Sequence, residues 1–398
     1  MSLSIGIVGL PNAGKSTLFN ALLSRQIANV APYPFCTIEP NVGIVEVPDL
    51  RLKVLAEVVH TEKIVPAIVE FKDIAGLVAG AAKGEGLGNK FLSHIRESAA
   101  IVHVLRAFSD QNVVRNEPVN PRSDFETIKT ELCLADLQTL EKQHEPNPSV
   151  ATKEDKQKWE LVLKLRTALE SGLEARHVDL TLEEQQLSRP LFLLTAKPAL
   201  FVLNVDEGDA GKSSVELRDL WRLGDISSSF APPNRRASAD KDIIPICAKV
   251  EMELSDLVED ERKDFMKDFG IQESGLEKLI KKGFEILGLQ TFLTAPASAD
   301  ASASGSTKSA YGQTKSARQR ANYEVRAWTI NKGDTAPQAA GAIHTDFEKG
   351  FIKCLVCSYE DFIQHHGWKG AAEVGKVRLE GKEYIMKEGD VVEFKFNA

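Results

Sequence analysis

No apolar run in the 398 residues is long enough to span a bilayer, so nothing in the pattern calls for a membrane helix. Room for a leader is missing too. Met1-Ser2-Leu3-Ser4 runs straight into an apolar strand pattern, which sets the expectation of a cytoplasmic protein without a signal or transit peptide. Cysteines are few and form no even framework: Cys36, Cys133, Cys247, Cys354 and Cys357 suit a reducing compartment. Cys354 and Cys357 have C-x-x-C spacing, yet no second pair or histidine cluster completes a zinc site. Their neighbours Phe351-Ile352-Lys353 and Ser358-Tyr359 look like a strand, which predicts two packed thiols. An excess of positive charge is also lacking. The net charge of −8 argues against broad adsorption to nucleic acid, although one local basic face would not show in that sum.

What is present is a globular apolar fraction of 43% on a chain too long for one ordinary core, so two or three domains are expected. The stretch Gly9-Leu10-Pro11-Asn12-Ala13-Gly14-Lys15-Ser16-Thr17 fits G-x-x-x-x-G-K-[ST]. A short β-branched run precedes it, Leu3 to Val8, and Leu18-Phe19-Asn20-Ala21-Leu22-Leu23 continues it as a helix. Strand, glycine loop and helix N-terminus are the context that the motif needs. Backbone N–H groups and the positive end of the helix dipole make a polyphosphate site. Asn12, Ala13, Gly14, Lys15, Ser16 and Thr17 are the candidate nucleotide-binding residues, with Lys15 reaching the β- and γ-phosphates and Ser16 ligating Mg²⁺.

Further runs have the spacing of a doubly wound sheet. Val42–Val47 and Ala67–Lys72 alternate and could pair as a hairpin-like edge, whereas Ala100–Leu105, Ala199–Leu203 and Ile243–Cys247 suit the interior. Between Leu105 and Ala199 the gap is too long for one crossover. Two apolar stripes fill that gap: Phe125, Ile128, Leu132, Leu134, Leu137 and Leu140, then Trp159, Val162, Leu163, Leu165, Leu169 and Leu173. A helical hairpin insert over 120–195 explains both, as a partner-binding arm or as a spacer. Residues 296–320 are Ala, Ser, Gly and Thr-rich and read as a flexible linker. Strand alternation resumes at Tyr323–Ile330 and closes with Val391–Phe396, so a small α+β domain over 321–398 is expected behind a nucleotide-binding domain over 1–290.

The loop alone hydrolyses nothing. Asp73-Ile74-Ala75-Gly76 follows a strand in D-x-x-G form, so Asp73 can hold Mg²⁺ through water and the Gly76 N–H can approach a γ-phosphate. Thr37, in Tyr33-Pro34-Phe35-Cys36-Thr37-Ile38-Glu39-Pro40, is the candidate switch hydroxyl that completes the metal shell. These segments, with Gly86-Leu87-Gly88-Asn89-Lys90, His103-Val104-Leu105-Arg106-Ala107-Phe108 and the C-terminal stretches Val325–Ile330 and Ala336–Glu348, resemble the YchF family of Obg-like P-loop ATPases. The resemblance covers nearly the whole chain. It implies a P-loop α/β domain with a coiled-coil insert, a C-terminal ubiquitin-like TGS domain, and ribosome (large subunit) or RNA as partner of a monomer. The C-terminal region's own charges are nearly balanced, so its sequence does not announce an RNA site.

Base choice can be argued from what is missing. A guanine site uses N-K-x-D after a strand, whereas here the stretch is Asn204-Val205-Asp206-Glu207. Val205 replaces the lysine and the fourth carboxylate is the longer Glu207, which misplaces the guanine-specific pair. The resemblance implies adenine, with Asn204 and the Val205 backbone near the base, while Asp206 in a shifted register leaves a guanine-specific translation GTPase as an alternative. The position after Gly76 carries Leu77, which cannot orient a water as glutamine does. A slow ATPase or a nucleotide-gated binding module with negligible turnover both fit. His103 matches a family histidine proposed for the missing role, a packed strand histidine being the other reading. Asn12 resembles the asparagine that holds K⁺ in some relatives, and Cys36 could link oxidation to nucleotide binding, with a buried thiol as its plainer role.

Overall fold

Aliphatic and β-branched runs that are apolar on both faces can only be satisfied inside a parallel sheet covered twice. The computed structural model describes residues 4–28, 41–74, 87–109, 118–223, 243–296 and 324–397, and shows such a sheet. The chain divides into two units, Met1–Val45 with Val69–Leu287, and Glu46–Ile68 with Gly288–Ala398.

In the first unit the strands are β1 (Ser4–Val8), β2 (Val42–Glu46), β4 (Ile68–Asp73), β5 (Ala100–Ala107), β6 (Ala199–Val205) and β7 (Ile243–Ile246), in the order β2-β4-β1-β5-β6-β7. The pairs β4–β1, β1–β5, β5–β6 and β6–β7 are parallel. Every residue of β1 and β5 is buried. As the alternating patterns predict, β2 and β4 are neighbours at the edge. From β1 the chain lays β2 and β4 on one side and then crosses to β5, β6 and β7 on the other, so a topological switch point, where open α/β sheets bind ligands, lies between the ends of β1 and β5. The register sets Ile7 beside Asp73 and Arg106 beside Asn204, bringing the chemistry-bearing ends of four strands to one edge.

Helices α1 (Lys15–Ala28), α3 (Leu87–Glu97) and α4 (Pro121–Glu141) cover this sheet with α8 (Ala248–Asp256) and α10 (Gly275–Ile286). The expected helical insert is present as α4, α5 (Lys153–Glu170) and α6 (Leu182–Ser188). Its caps are legible: Asn120 accepts from the Ser123 N–H ahead of Pro121, and Thr152 and Asp155 form a capping box. The stripes need correction. Leu134, Leu163 and Leu173 are exposed, and the buried face of α4 does two jobs. Ile128, Leu132 and Ala135 join Val8 and Ile101 in the sheet's core, whereas Cys133 and Leu140 join Leu161, Val162, Leu165 and Leu169 of α5. Half of α4 is therefore sheet cover rather than arm. Asp136, fully buried on it, accepts from the Leu194 N–H at 2.7 Å, the Thr195 N–H at 2.8 Å and the Thr195 hydroxyl at 2.6 Å. Burial pushes its pKa up while these bonds pull it down, and they fasten the end of the insert just ahead of β6.

The second unit has the sheet order β11-β10-β12-β8-β9-β3, from β3 (Ile64–Val65), β8 (Leu289–Thr294), β9 (Val325–Asn331), β10 (Phe351–Cys357), β11 (Arg378–Glu380) and β12 (Val391–Phe396). It reaches further than the sequence reading over 321–398: β8 and the 46–68 segment, with α2 (Leu50–Val59), both belong to it. Arg51 explains how that segment is held, since its guanidinium meets Asp49 at 2.7 Å, Glu388 at 2.6 Å and Thr291 at 3.1 Å. The C-x-x-C pair sits on β10 as two free, fully buried thiols, pushed up to about 12 at Cys354 and about 11 at Cys357 by burial. Packed thiols are what the strand pattern predicts. The linker expected over 296–320 lies outside the described residues beyond Pro296. No described helix is long and apolar enough to cross a membrane.

Candidate functional site

The loop after β1 has its conformation forced by its neighbours. A Cβ at Gly9 would stand 2.6 Å from the Val104 carbonyl oxygen, so any other residue collides with β5. At Gly14 φ is +88°, and a Cβ there would stand 2.1 Å from Asn204 Nδ2. α1 then starts at Lys15 with no acidic residue in its first turn, leaving the positive helix end uncompensated. Lys15 is 7% exposed, and its ammonium donates to the Leu10 carbonyl at 2.9 Å. Burial lowers its pKa, with the Asp73 charge acting the other way. A buried cation that rests on one carbonyl is well placed to exchange it for phosphate oxygens.

Ser16 donates its hydroxyl to Asp73 Oδ2 at 3.2 Å, and Asp73 Oδ1 is buried with no partner among the described residues. An orphaned carboxylate oxygen beside a hydroxyl, under a phosphate loop, fits a hard divalent cation. The donor set is all oxygen, as Mg²⁺ requires.

A cavity of about 900 Å³ opens over the loop and extends past the ends of β5, β6 and β7. Asn204 is the joint of this site. It is 6% exposed, donates from Nδ2 to the Ala13 carbonyl at 3.0 Å, and accepts at Oδ1 from the Ala248 N–H at 3.1 Å. One amide thereby ties the phosphate loop to the first turn of α8. Asp206 accepts from the Ser109 N–H at 3.1 Å and hydroxyl at 3.2 Å. Glu207 pairs with Lys249 at 2.5 Å. Phe108 also lines the cavity, with the Arg106 guanidinium 4.7 Å from its ring centroid.

Comparison with known proteins gives the family. Over 402 aligned positions the chain is 47% identical to the ribosome-binding ATPase YchF of Bacillus subtilis (strain 168), with 100% of both chains covered. The chain belongs to the YchF family. A second YchF relative, from Escherichia coli O157:H7, is 44% identical over the same full coverage. The solved structure of the Schizosaccharomyces pombe YchF GTPase superposes with a TM-score of 0.80 at 33% identity, covering 99% of this chain and 98% of that one. Residues 4–136 match the family of 50S ribosome-binding GTPases, and 320–397 the YchF-GTPase C-terminal family, described as a protein of unknown function. The relatives' names divide between ATPase and GTPase, which leaves base choice to this site's own chemistry.

In this YchF chain, Asn12, Gly14, Lys15, Ser16, Thr17, Asn204, Val205 and Glu207 all line the one cavity, with Ala13 bound to Asn204 beneath it. Asp73 stands beside Ser16. Thr37, Gly76, Leu77 and Cys36 lie outside the described residues. Asn204, expected near the base, lines the cavity at the end of β6, and its amide also bridges two backbone groups, which holds the site together. His103, read from the sequence either as the catalytic group or as a packed strand histidine, is 0% exposed, stacked on Phe201 at 4.9 Å and edge-on to Phe125 at 6.4 Å, and it does not line the cavity, which is the packed arrangement. Burial and the Arg176 charge lower its pKa to about 3, which makes it a neutral core ring. Sequence reasoning missed Phe108, Ser109, Ala248 and Lys249. The available signal was position: all four follow the apolar runs of β5 and β7, at the strand ends where this sheet type places its ligand.

Proposed function

We propose that this chain is a Mg²⁺-dependent nucleoside triphosphate hydrolase that prefers ATP, and that its nucleotide state governs binding to the ribosome. The observation that carries the reading is the cavity's two ends. One presents a buried lysine, a helix N-terminus and the Ser16–Asp73 pair to phosphates. The other holds the motif-equivalent segment, in which Val205, in the core, stands where a guanine site has its lysine. Losing a buried polar pair matched to guanine is worth factors of about 10⁴ in discrimination. Ser16 and Asp73, with Thr37 as the expected third ligand, would hold Mg²⁺, which supplies charge neutralisation for the β- and γ-phosphates. Lys15 adds a positioned cation, and the loop's N–H groups orient the phosphates in line. The ribosome as partner rests on what the Bacillus and Escherichia relatives are named for. Competition of ATP and GTP for one fluorescent nucleotide analogue tests base choice: ATP is expected to displace it at lower concentration, and a clear GTP preference would sink the reading.

Hydrolysis needs a group that takes over from glutamine, and with His103 sealed in the core a second reading gains weight: a nucleotide-gated binding module that turns over negligibly. Asn12, at φ +61° on the open side of the loop, is the residue we assign to a K⁺ ion that offsets transition-state charge. Phosphate release is then expected to be several-fold faster in K⁺ than in Na⁺, with the difference lost in Asn12→Ala. No release above solution background in either salt, with ATP still bound, would favour the gate over the enzyme.

A further inference from the structure

The base end of the cavity contains two carboxylates, and both have partners supplied by other strand ends. Asp206 is engaged by Ser109 after β5, and Glu207 by Lys249 in the first turn of α8, with a nitrogen–oxygen separation of 2.5 Å. Guanine offers N1–H and an exocyclic amine, two donors that call for a carboxylate in their plane. Adenine offers a lone pair at N1, which a free carboxylate repels. A carboxylate left loose beside the base would therefore favour the wrong nucleotide.

We infer that Lys249 is a specificity-determining residue: by holding Glu207 it withholds from guanine the carboxylate that would otherwise accept from it. The inference rests on the adenine preference proposed above. The hydrogen bond to Glu207, then its charge, raises the Lys249 pKa, so the lysine stays cationic wherever the carboxylate is ionised. Its side chain is 70% exposed and that of Glu207 47%, so water screens the pair and its hold is modest. Exposed pairs of this kind correspond to about a two- to fivefold change in an equilibrium. Specificity is a difference of affinities, and a device that disfavours the competitor is enough to add such a factor.

The test measures ATP and GTP affinities of the full chain by competition, in the wild type, Lys249→Met, Lys249→Arg and Lys249→Met with Glu207→Gln. Methionine keeps the aliphatic stem and removes the ammonium. GTP affinity relative to ATP is expected to rise about two- to fivefold in Lys249→Met, to stay at the wild-type ratio in Lys249→Arg, and to return towards it in the double variant. A ratio unchanged in Lys249→Met, or raised equally in the double variant, overturns the role of Lys249. A wild type that prefers GTP overturns the adenine reading instead, and is seen before any variant is measured.

Discussion

Asn204→Asp is expected to lower nucleotide affinity about a hundredfold while leaving the ATP-to-GTP ratio within about twofold of wild type. The substitution is isosteric, so packing is unchanged and the effect is one of donors and acceptors. Nδ2 now donates to the Ala13 carbonyl at 3.0 Å, and an aspartate oxygen in its place faces that carbonyl with two lone-pair bearers and no proton between them. The Ala248 N–H keeps an acceptor, but the phosphate loop loses its tether. A buried carbonyl left unsatisfied costs about 1–3 kcal/mol, and a buried charge beside it adds to this. Alanine at this position removes both bonds without the repulsion, so a loss of about tenfold is expected there. Titration with a fluorescent nucleotide gives the affinities, and thermal melting shows whether the fold persists. A variant that melts normally and binds within threefold of wild type would remove the bridging role. One that loses ATP but keeps GTP would show that this residue also reads the base, near which the family resemblance puts it.

That contrast shows where sequence reasoning reached its limit. The phosphate loop, the parallel sheet and the carboxylate beside the loop were legible because each is a local pattern: a fixed spacing, an apolar run, a motif after a strand. Asp73 was found this way and stands beside Ser16 as expected. The roles of Asn204 and Lys249 were not legible, because they are set by pairings across 191 and 42 positions of chain, which no window contains. The helical insert failed differently. A stripe with helical spacing says that a face is buried, but not against what, and α4 divides its face between the sheet and α5. The second unit recruits β8 and the 46–68 segment through ladder bonds and the Arg51 ion pairs, again long-range choices on which composition is silent.

Replacing His103 with phenylalanine or leucine is expected to leave nucleotide affinity and hydrolysis within about twofold of wild type, and to make the protein markedly more resistant to acid. The ring is fully buried between Phe201 and Phe125, and neither of its nitrogens has a hydrogen-bond partner among the described residues. Only the neutral form fits such a place, which is why desolvation, helped by Arg176, lowers its pKa from 6.5 to about 3. Unfolding returns the ring to its ordinary value, so between these two pH values the unfolded chain binds one more proton than the folded one. Stability from this group is complete above pH 6.5 and is lost as pH falls towards 3, by an amount on the order of 5 kcal/mol. A residue without a titrating group removes that acid limb, so denaturant midpoints of the wild type and variants should agree near pH 8 and separate steadily below pH 6. Phenylalanine keeps the stacking and leucine controls for the larger ring's strain. Curves that stay parallel down to pH 4 would deny the buried neutral ring. A tenfold fall in phosphate release with the fold intact would return His103 to the catalytic role that its position in the sequence first suggested.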